Sequence, residues 1–200
     1  MSRRRRIALS VIGAIALLIG AATLWQSGRP EDRYAHVLLL DPKTGETLHR
    51  QILDGGYALP ALLSGGRVAV ATVVSCPDKL GGSVTVFDAT LEHVLKHRSL
   101  APCAVPRLDV VGLRKLAGDA SGPAPAFDEK TMTLPLGDGK LVYSADEGVA
   151  PGRSNRLTAY DAAGRKLWTR TSFGGQLGAA DVRGDRIAVV ATGQFTPGSD

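Results

Sequence analysis

The chain has 200 residues, with 24 lysines and arginines against 19 aspartates and glutamates, a formal net charge of +5. Four of the basic residues form one N-terminal block, Arg3, Arg4, Arg5 and Arg6, and without them the chain carries 20 basic against 19 acidic residues. The body is therefore nearly neutral, which argues against a broad basic face and against nucleic acid as a partner. A hydrophobic content of 44% and a charged content of 22% are typical of a globular chain.

The N-terminal residues predict an export signal. The segment 7–25 is uncharged and largely apolar, and as a helix it would be about 28 Å long, about the thickness of the hydrocarbon core of a bilayer. The arginines before it should keep the N-terminus cytoplasmic and orient the rest of the chain outward. The expected organisation is a single-pass membrane protein with a cytoplasmic basic stub (1–6), a signal anchor or transmembrane helix (7–25), a linker (26–33) and an extracytoplasmic domain (34–200). Signal cleavage after Ala22 is the alternative, and it would give a secreted protein.

Three later segments share one pattern, in which a short apolar strand ends in an aspartate, a turn follows, and a second strand leaves. The aspartates are Asp41, Asp88 and Asp161, and Gly45 and Gly164 stand in two of the turns. An aspartate can accept hydrogen bonds from turn amides, and glycine tolerates turn conformations that other residues resist, so each segment predicts a β-hairpin. Seven places after each aspartate stands an apolar residue: Leu48, Leu95 and Trp168.

A second hairpin pattern alternates with the first. Two glycine or aspartate turn residues precede a basic residue and an apolar strand, and another strand candidate comes before each turn, at 58–63, 131–136 and 177–182. With no helical periodicity after residue 30, the pattern predicts an all-β fold, a β-propeller-like array of four-stranded antiparallel blades that is partial or small. The order of the hairpins predicts that the first and last ones complete one shared blade. The insertion between the second and third aspartates predicts a further strand at 107–111 and a flexible loop at 118–127.

The three hairpins at Asp41, Asp88 and Asp161 resemble the repeats of the PQQ-like (quinoprotein-like) β-propeller family, whose pattern is approximately apolar-Ala-x-Asp-x-x-Thr-Gly-Lys-x-x-Trp, although the second hairpin lacks the glycine. The closest matches are residues 39–46 and 159–168, and the resemblance covers about residues 34–192. It implies that Trp168 docks against a neighbouring blade, and that blade contacts are looser where the tryptophan is missing. The family contains PQQ dehydrogenases and non-catalytic propellers. The enzymes are much longer, hold PQQ with calcium in the ring centre and often have a disulfide between adjacent cysteines. This chain has no adjacent cysteines and too few predicted blades to enclose a central cofactor, so we expect no cofactor and no catalysis here.

The remaining candidate residues have structural interpretations. Cys76 and Cys103 follow strands of one blade on the same side, which predicts a structural disulfide in an oxidising compartment, with metal ligation or a free nucleophile as alternatives. His93 and His97 lie about 13 Å apart along a strand, too far to share an ion. The tripeptide Arg183-Gly184-Asp185 matches an integrin-recognition sequence but occupies a hairpin turn.

The sequence thus predicts a membrane-tethered, extracytoplasmic β-propeller-like module that binds or scaffolds a partner without catalysis. Its expected contacts are the membrane, through the N-terminal helix, and a protein partner or a second copy of itself. The alternative is a fragment or subunit of a longer PQQ-type propeller, a sensor or a quinoprotein dehydrogenase, that a partner chain completes.

Overall fold

The computed structural model describes residues 34–55, 57–73, 81–119, 122, 126–127, 131–145, 155–171, 173 and 176–193, all within one compact unit of the chain. The predicted stub, membrane helix and linker at 1–33 lie outside the described residues. No helix in the described ranges is long and apolar enough to cross a membrane.

The described residues form thirteen strands and one helix. The strands are β1 (Tyr34–Leu40), β2 (Thr47–Asp54), β3 (Tyr57–Leu62), β4 (Val68–Val73), β5 (Gly82–Phe87), β6 (Val94–Ser99), β7 (Ala126–Phe127), β8 (Thr131–Leu136), β9 (Gly139–Ala145), β10 (Asn155–Tyr160), β11 (Lys166–Arg170), β12 (Gln176–Arg183) and β13 (Arg186–Gly193). The helix is α1 (Val110–Ala117), and short 3-10 turns cover Ser64–Gly66 and Val105–Arg107.

Strands from the two ends of the described domain share one sheet. Sheet 1 has the order β12-β13-β1-β2, and β13 pairs antiparallel with β1 from Tyr34 opposite Gly193 to Leu40 opposite Ile187. Sheet 2 follows the chain as β3-β4-β5-β6, and sheet 3 has the order β11-β10-β9-β8 with the two-residue β7 at its edge. The prediction of antiparallel four-stranded sheets, one of them shared by the first and last hairpins, is confirmed.

Sheet 1 lies between the other two sheets because its central strands are apolar on both faces, as expected of a sheet covered on both sides. Leu38 and Val189 pack with Leu141 and Leu157 of sheet 3. On the opposite face, Val37 and its neighbours pack with Val68, Val70 and Phe87 of sheet 2. Sheet 1 is therefore the middle layer of the stack.

The second face of sheet 2 is covered by α1, where the sequence predicted a strand at 107–111. That prediction is wrong, because Asp109 caps a helix by accepting the Gly112 amide at 2.6 Å, and Gly118 ends it at φ +85°. Two valines at the start of α1 favour strand by propensity, but Val110 and Leu113 gain burial against sheet 2 as helix residues. The fold is thus mostly β rather than all-β. Only parts of the predicted loop 118–127 fall within the described ranges.

Candidate functional site

The first predicted turn is held by its aspartate. Asp41 Oδ1 accepts hydrogen bonds from the amides of Lys43 and Thr44 at 2.7 and 3.0 Å. Gly45 follows at φ +75°, a left-handed conformation that favours glycine. The carboxylate therefore stabilises the connection between β1 and β2.

Asp88 has the same position between β5 and β6 and uses both of its oxygens there. Oδ1 accepts the amides of Thr90 and Glu92 at 3.2 and 3.1 Å, and Oδ2 lies 2.8 Å from His93 Nδ1. The His93 contact, with the Thr90 bonds, holds the pKa of Asp88 well below its usual range. This carboxylate is satisfied within its own turn.

Asp161 caps the turn between β10 and β11. Its Oδ1 accepts the amides of Ala163 and Arg165 at 3.0 and 2.8 Å, and its Oδ2 accepts from the Arg165 guanidinium at 2.8 Å. The bond from the Arg165 amide, with that from its side chain, lowers the pKa of Asp161. Gly164 adopts φ +77°, so this turn repeats the geometry of the first with one residue fewer.

Trp168 joins sheet 3 to the first turn of sheet 1. Its side chain is 8% exposed, and its Nε1 donates to the Pro42 carbonyl at 2.8 Å. The indole lies flush against Gly45, where an added Cβ would stand 2.7 Å from Cδ2 of the ring. Beside it, Arg170 donates to the Gly45 carbonyl and to Thr47 Oγ1, both at 2.9 Å. Trp168 and Arg170 therefore fasten the outer strand of sheet 3 to the β1–β2 turn.

The residues that correspond to Trp168 in the other sheets are polar. Strand register places His49 of sheet 1 and Lys96 of sheet 2 at the position of Trp168. Leu48 and Leu95, which sequence spacing aligned with Trp168, occupy β-bulges instead and are 55% and 54% exposed. That alignment is wrong because the first two turns are one residue longer than the third, as their closing backbone bonds show.

A buried ion pair connects α1 to β12 of sheet 1 and β3 of sheet 2. Arg114 and Asp181 are each 1% exposed, and Arg114 Nη2 donates to the two carboxylate oxygens at 2.8 and 2.9 Å. The Leu62 amide donates to the same carboxylate at 2.7 Å. Burial raises the pKa of the Asp181 carboxyl, and the Leu62 amide and Arg114 oppose that effect. Gly122 leaves room for the guanidinium, since a Cβ there would stand 2.7 Å from Arg114 Nη1.

A second ionic contact lies at the end of α1. Asp119 is buried, and its Oδ2 accepts from Arg183 Nη1 at 2.9 Å and from the Ser64 amide. Arg183 Nη2 also donates to Ser64 Oγ at 3.0 Å. The first side chain of the Arg183-Gly184-Asp185 tripeptide is therefore engaged inside the fold, with Gly184 at φ +63° in the turn.

Sequence reasoning did not single out Arg114, Asp119 or Asp181. Arg114 and Asp181 are 67 residues apart in the chain, and neither belongs to a recognisable sequence motif. The available signal was an acidic residue within the apolar strand 177–182, at a position that alternation places on a covered face.

The histidines and cysteines of interest do not form a shared site among the described residues. His93 contacts Asp88, whereas His97 Nδ1 lies 2.9 Å from Thr85 Oγ1 on the neighbouring strand. Cys103 is disulfide-bonded, but Cys76 lies outside the described residues, so the pairing of the two stays a prediction. Within those residues, no three His, Cys, Asp or Glu side chains are grouped so as to hold a metal ion.

His36 should give the stability of the fold a pH dependence. It is buried on the face of β1 that packs against sheet 3, and burial, then Arg50, lowers its pKa below the ordinary 6.5. The folded state disfavours the protonated ring. The contribution of His36 to stability is therefore fully present above pH 6.5, and below it the unfolding free energy falls by at most about 1.4 kcal/mol per pH unit. Urea unfolding of the full chain between pH 5 and 8 measures this slope.

Replacing His36 with glutamine should flatten the slope. Leu177→Ala, at a buried residue in the same interface, should instead lower the unfolding free energy by a similar amount at every pH. An unchanged slope in His36→Gln would show that the pH dependence has another source.

The outward face of sheet 3 is polar. Leu134, Leu141 and Leu157 point toward sheet 1, so the residues that alternate with them point away. One row across the outward face contains Thr133, Val142, Thr158 and Thr169.

Two flanking rows carry the charge of this face. In one, Arg156 Nε donates to Ser144 Oγ at 3.1 Å. In the other, Lys140 Nζ lies 5.6 Å from the ring centre of Tyr160, and Lys166 stands on the opposite side of Tyr160. Lys140, Arg156 and Lys166 are exposed, and no described position of these three rows is acidic.

No family model matches the sequence, and no curated protein matches it. The inference of function therefore rests on the contacts described above.

Proposed function

We propose that the protein is a membrane-tethered, extracytoplasmic β-propeller-like module that binds or scaffolds a partner without catalysis. The observation that carries the proposal is sheet 1, in which β12 and β13 combine with β1 and β2. β-Propellers often complete one blade with strands from both ends of the chain, and here that blade lies between the other two sheets. The membrane tether rests on the apolar segment 7–25 and the arginines before it.

The docking of Trp168 supports the resemblance to PQQ-like repeats. Its indole contacts the turn of a neighbouring sheet at Pro42 and Gly45, which is the role that the resemblance implies. The polar residues His49 and Lys96 at the corresponding positions support the expectation that the other sheets lack this contact.

The alternative, a fragment completed by a partner chain, has less support. A further blade would need an uncovered apolar sheet face to pack against. The second face of sheet 2 is covered by α1, and the outward face of sheet 3 carries hydroxyls and cations in the described residues.

The oligomeric state of the full chain tests this alternative. Light scattering should show a monodisperse monomer, and urea unfolding should be cooperative. An obligate complex with another chain would favour the alternative.

Fusions at the C-terminus test the location. In a bacterial host, alkaline phosphatase fused after Asp200 should be active, and a cytoplasm-dependent fluorescent protein at the same site should be dark. Changing the four arginines at 3–6 to glutamate should reduce phosphatase activity, because the charge that orients the helix is lost. An inactive phosphatase together with a fluorescent fusion would refute the proposed location.

An assay with PQQ and calcium tests the absence of catalysis. The detergent-purified full chain, supplied with both and with an artificial electron acceptor, should show no dehydrogenase turnover on primary alcohols or aldoses. Turnover that depends on PQQ would replace the binding module with an enzyme.

A further inference from the structure

The outward face of sheet 3 differs from the other sheet faces in the described part of the molecule. Both faces of sheet 1 are packed against neighbouring sheets, and the second face of sheet 2 is packed against α1. The outward face of sheet 3 instead presents the exposed side chains of Lys140, Arg156, Lys166 and Thr169. It is therefore the sheet surface best placed to meet a partner.

The described residues of this face carry charge of one sign. Lys140, Arg156 and Lys166 are exposed, while the body of the chain as a whole is balanced at 20 basic against 19 acidic residues. Of the described turns beside this face, one holds Asp161, which is bonded to Arg165, and another holds Asp138, which is exposed. Asp146 and Glu147, which follow β9, lie outside the described residues. The described part of this face therefore concentrates positive charge, although the chain body as a whole is nearly neutral. Such a surface favours an anionic partner.

Hydroxyl groups lie between the cations. The exposed Thr169 and the half-buried Thr133, Ser144 and Tyr160 contribute them, whereas Thr158 is buried. Arg156 and Tyr160 are four residues apart on β10, about 13 Å along the strand. A ligand that spans this distance would meet Arg156 at one end and Lys140 and Lys166, on either side of Tyr160, at the other. Hydroxyl donors and acceptors would lie between these cations.

We infer that this face binds a linear acidic polysaccharide, a polymer in which carboxylates or sulfates alternate with sugar hydroxyls. The inference deepens the proposed function, because it names a partner class for that binding module. A lipid surface fits less well, since the three described rows contain no leucine, isoleucine or phenylalanine, and their one valine, Val142, is half-buried. Single-stranded nucleic acid fits less well because the Tyr160 ring, which a base would stack on, lies under Lys140.

The test uses the full chain in nanodiscs of phosphatidylcholine, a lipid without net charge. Immobilised polygalacturonate and dextran sulfate should bind it, and neutral dextran of similar length should not. Raising the salt from 50 to 200 mM should weaken binding, as expected when cations release the counterions of a polyanion. Equal binding to neutral dextran, or none to either acidic polymer, would overturn the inference.

Matched variants locate the binding surface. The triple variant Lys140→Gln, Arg156→Gln and Lys166→Gln should bind at least about tenfold more weakly. A control, Lys43→Gln, Lys96→Gln and Arg98→Gln, removes the same formal charge from exposed residues of the other sheets and should change affinity by less than about twofold. Equal weakening by both variants would mean that charge in general, and not this face, binds the polymer.

Two further measurements keep the inference falsifiable. If circular dichroism shows that the triple variant is misfolded, Lys140→Gln and Lys166→Gln are tested singly, and each should weaken binding by about two- to threefold. Tighter binding to phosphatidylglycerol vesicles or to single-stranded DNA than to the polysaccharides would assign the face to another partner. The fusion reporters test location independently, so face-dependent binding by a cytoplasmic domain would refute the proposed location and leave this inference standing.

Discussion

Replacing Asp181 with asparagine should lower the unfolding free energy by about 3–5 kcal/mol, one of the two largest effects expected in this protein. The substitution keeps the shape of the side chain but leaves the Arg114 guanidinium, 1% exposed, without its counter-charge. Asparagine can also present its NH2 group to the Leu62 amide, which now donates to the carboxylate. Urea unfolding of the full chain in non-denaturing detergent, followed by circular dichroism, measures the loss.

Two variants identify the cause of that loss. Asp185→Asn, at an exposed turn position, removes the same charge and should change stability by less than about 0.5 kcal/mol. The double variant Arg114→Met with Asp181→Leu should recover most of the stability, because well-packed apolar residues can replace a buried ion pair. If Asp181→Asn lowers the unfolding free energy no more than Asp185→Asn does, the ion pair of Arg114 and Asp181 does not hold α1 to β12 and β3.

Trp168→Ala should destabilise the fold by about 3–5 kcal/mol. The change removes a buried indole and its hydrogen bond to Pro42, and it leaves a void between sheet 3 and the first turn of sheet 1. Leu167→Ala, one residue earlier and 49% exposed, should cost less than about 1 kcal/mol. The same urea measurement applies. A loss no larger than that of Leu167→Ala would contradict a docking role for Trp168.

A pair of glycine variants separates docking from backbone strain. Gly45 and Gly164 have nearly the same φ, +75° and +77°, so alanine at either position carries the left-handed penalty of about 1–2 kcal/mol. A Cβ at Gly164 has nothing within 4 Å, whereas one at Gly45 would stand 2.7 Å from the Trp168 ring. Gly45→Ala should therefore cost clearly more than Gly164→Ala, and equal losses would show that the indole can move aside at no cost.

The strands could largely be predicted from the sequence, because their signals are local. β8 coincides with the predicted 131–136, and β3 and β12 lie within a residue or so of the predicted 58–63 and 177–182. Turn residues and alternating apolar residues specify hairpins over short distances. The sheet shared by the first and last hairpins could also be predicted, because the order of the hairpins can be read from the sequence.

The features that were missed depend on tertiary context. Val110 and Val111 suit a strand, and the capping residues Asp109 and Gly118 were the available signal for α1. The role of Asp181 depends on Arg114, which reaches it from a different element. The mistaken alignment of Leu48 with Trp168 came from a turn longer by one residue. The spacing from Asp41 to Gly45 and from Asp161 to Gly164 already shows this difference, and strand register shows that it shifts the outgoing strand.

The shared sheet has a consequence for the order of folding. Sheets 2 and 3 consist of strands that follow one another along the chain, whereas β1 and β13 are separated by almost the whole domain. As the chain is synthesised from its N-terminus, β1 must wait for β13 while apolar groups on both of its faces stay uncovered. Closing so long a loop is slow. Pairing of β1 with β13 should therefore be a late folding step, and until it occurs the middle layer is the part of the molecule most prone to aggregate.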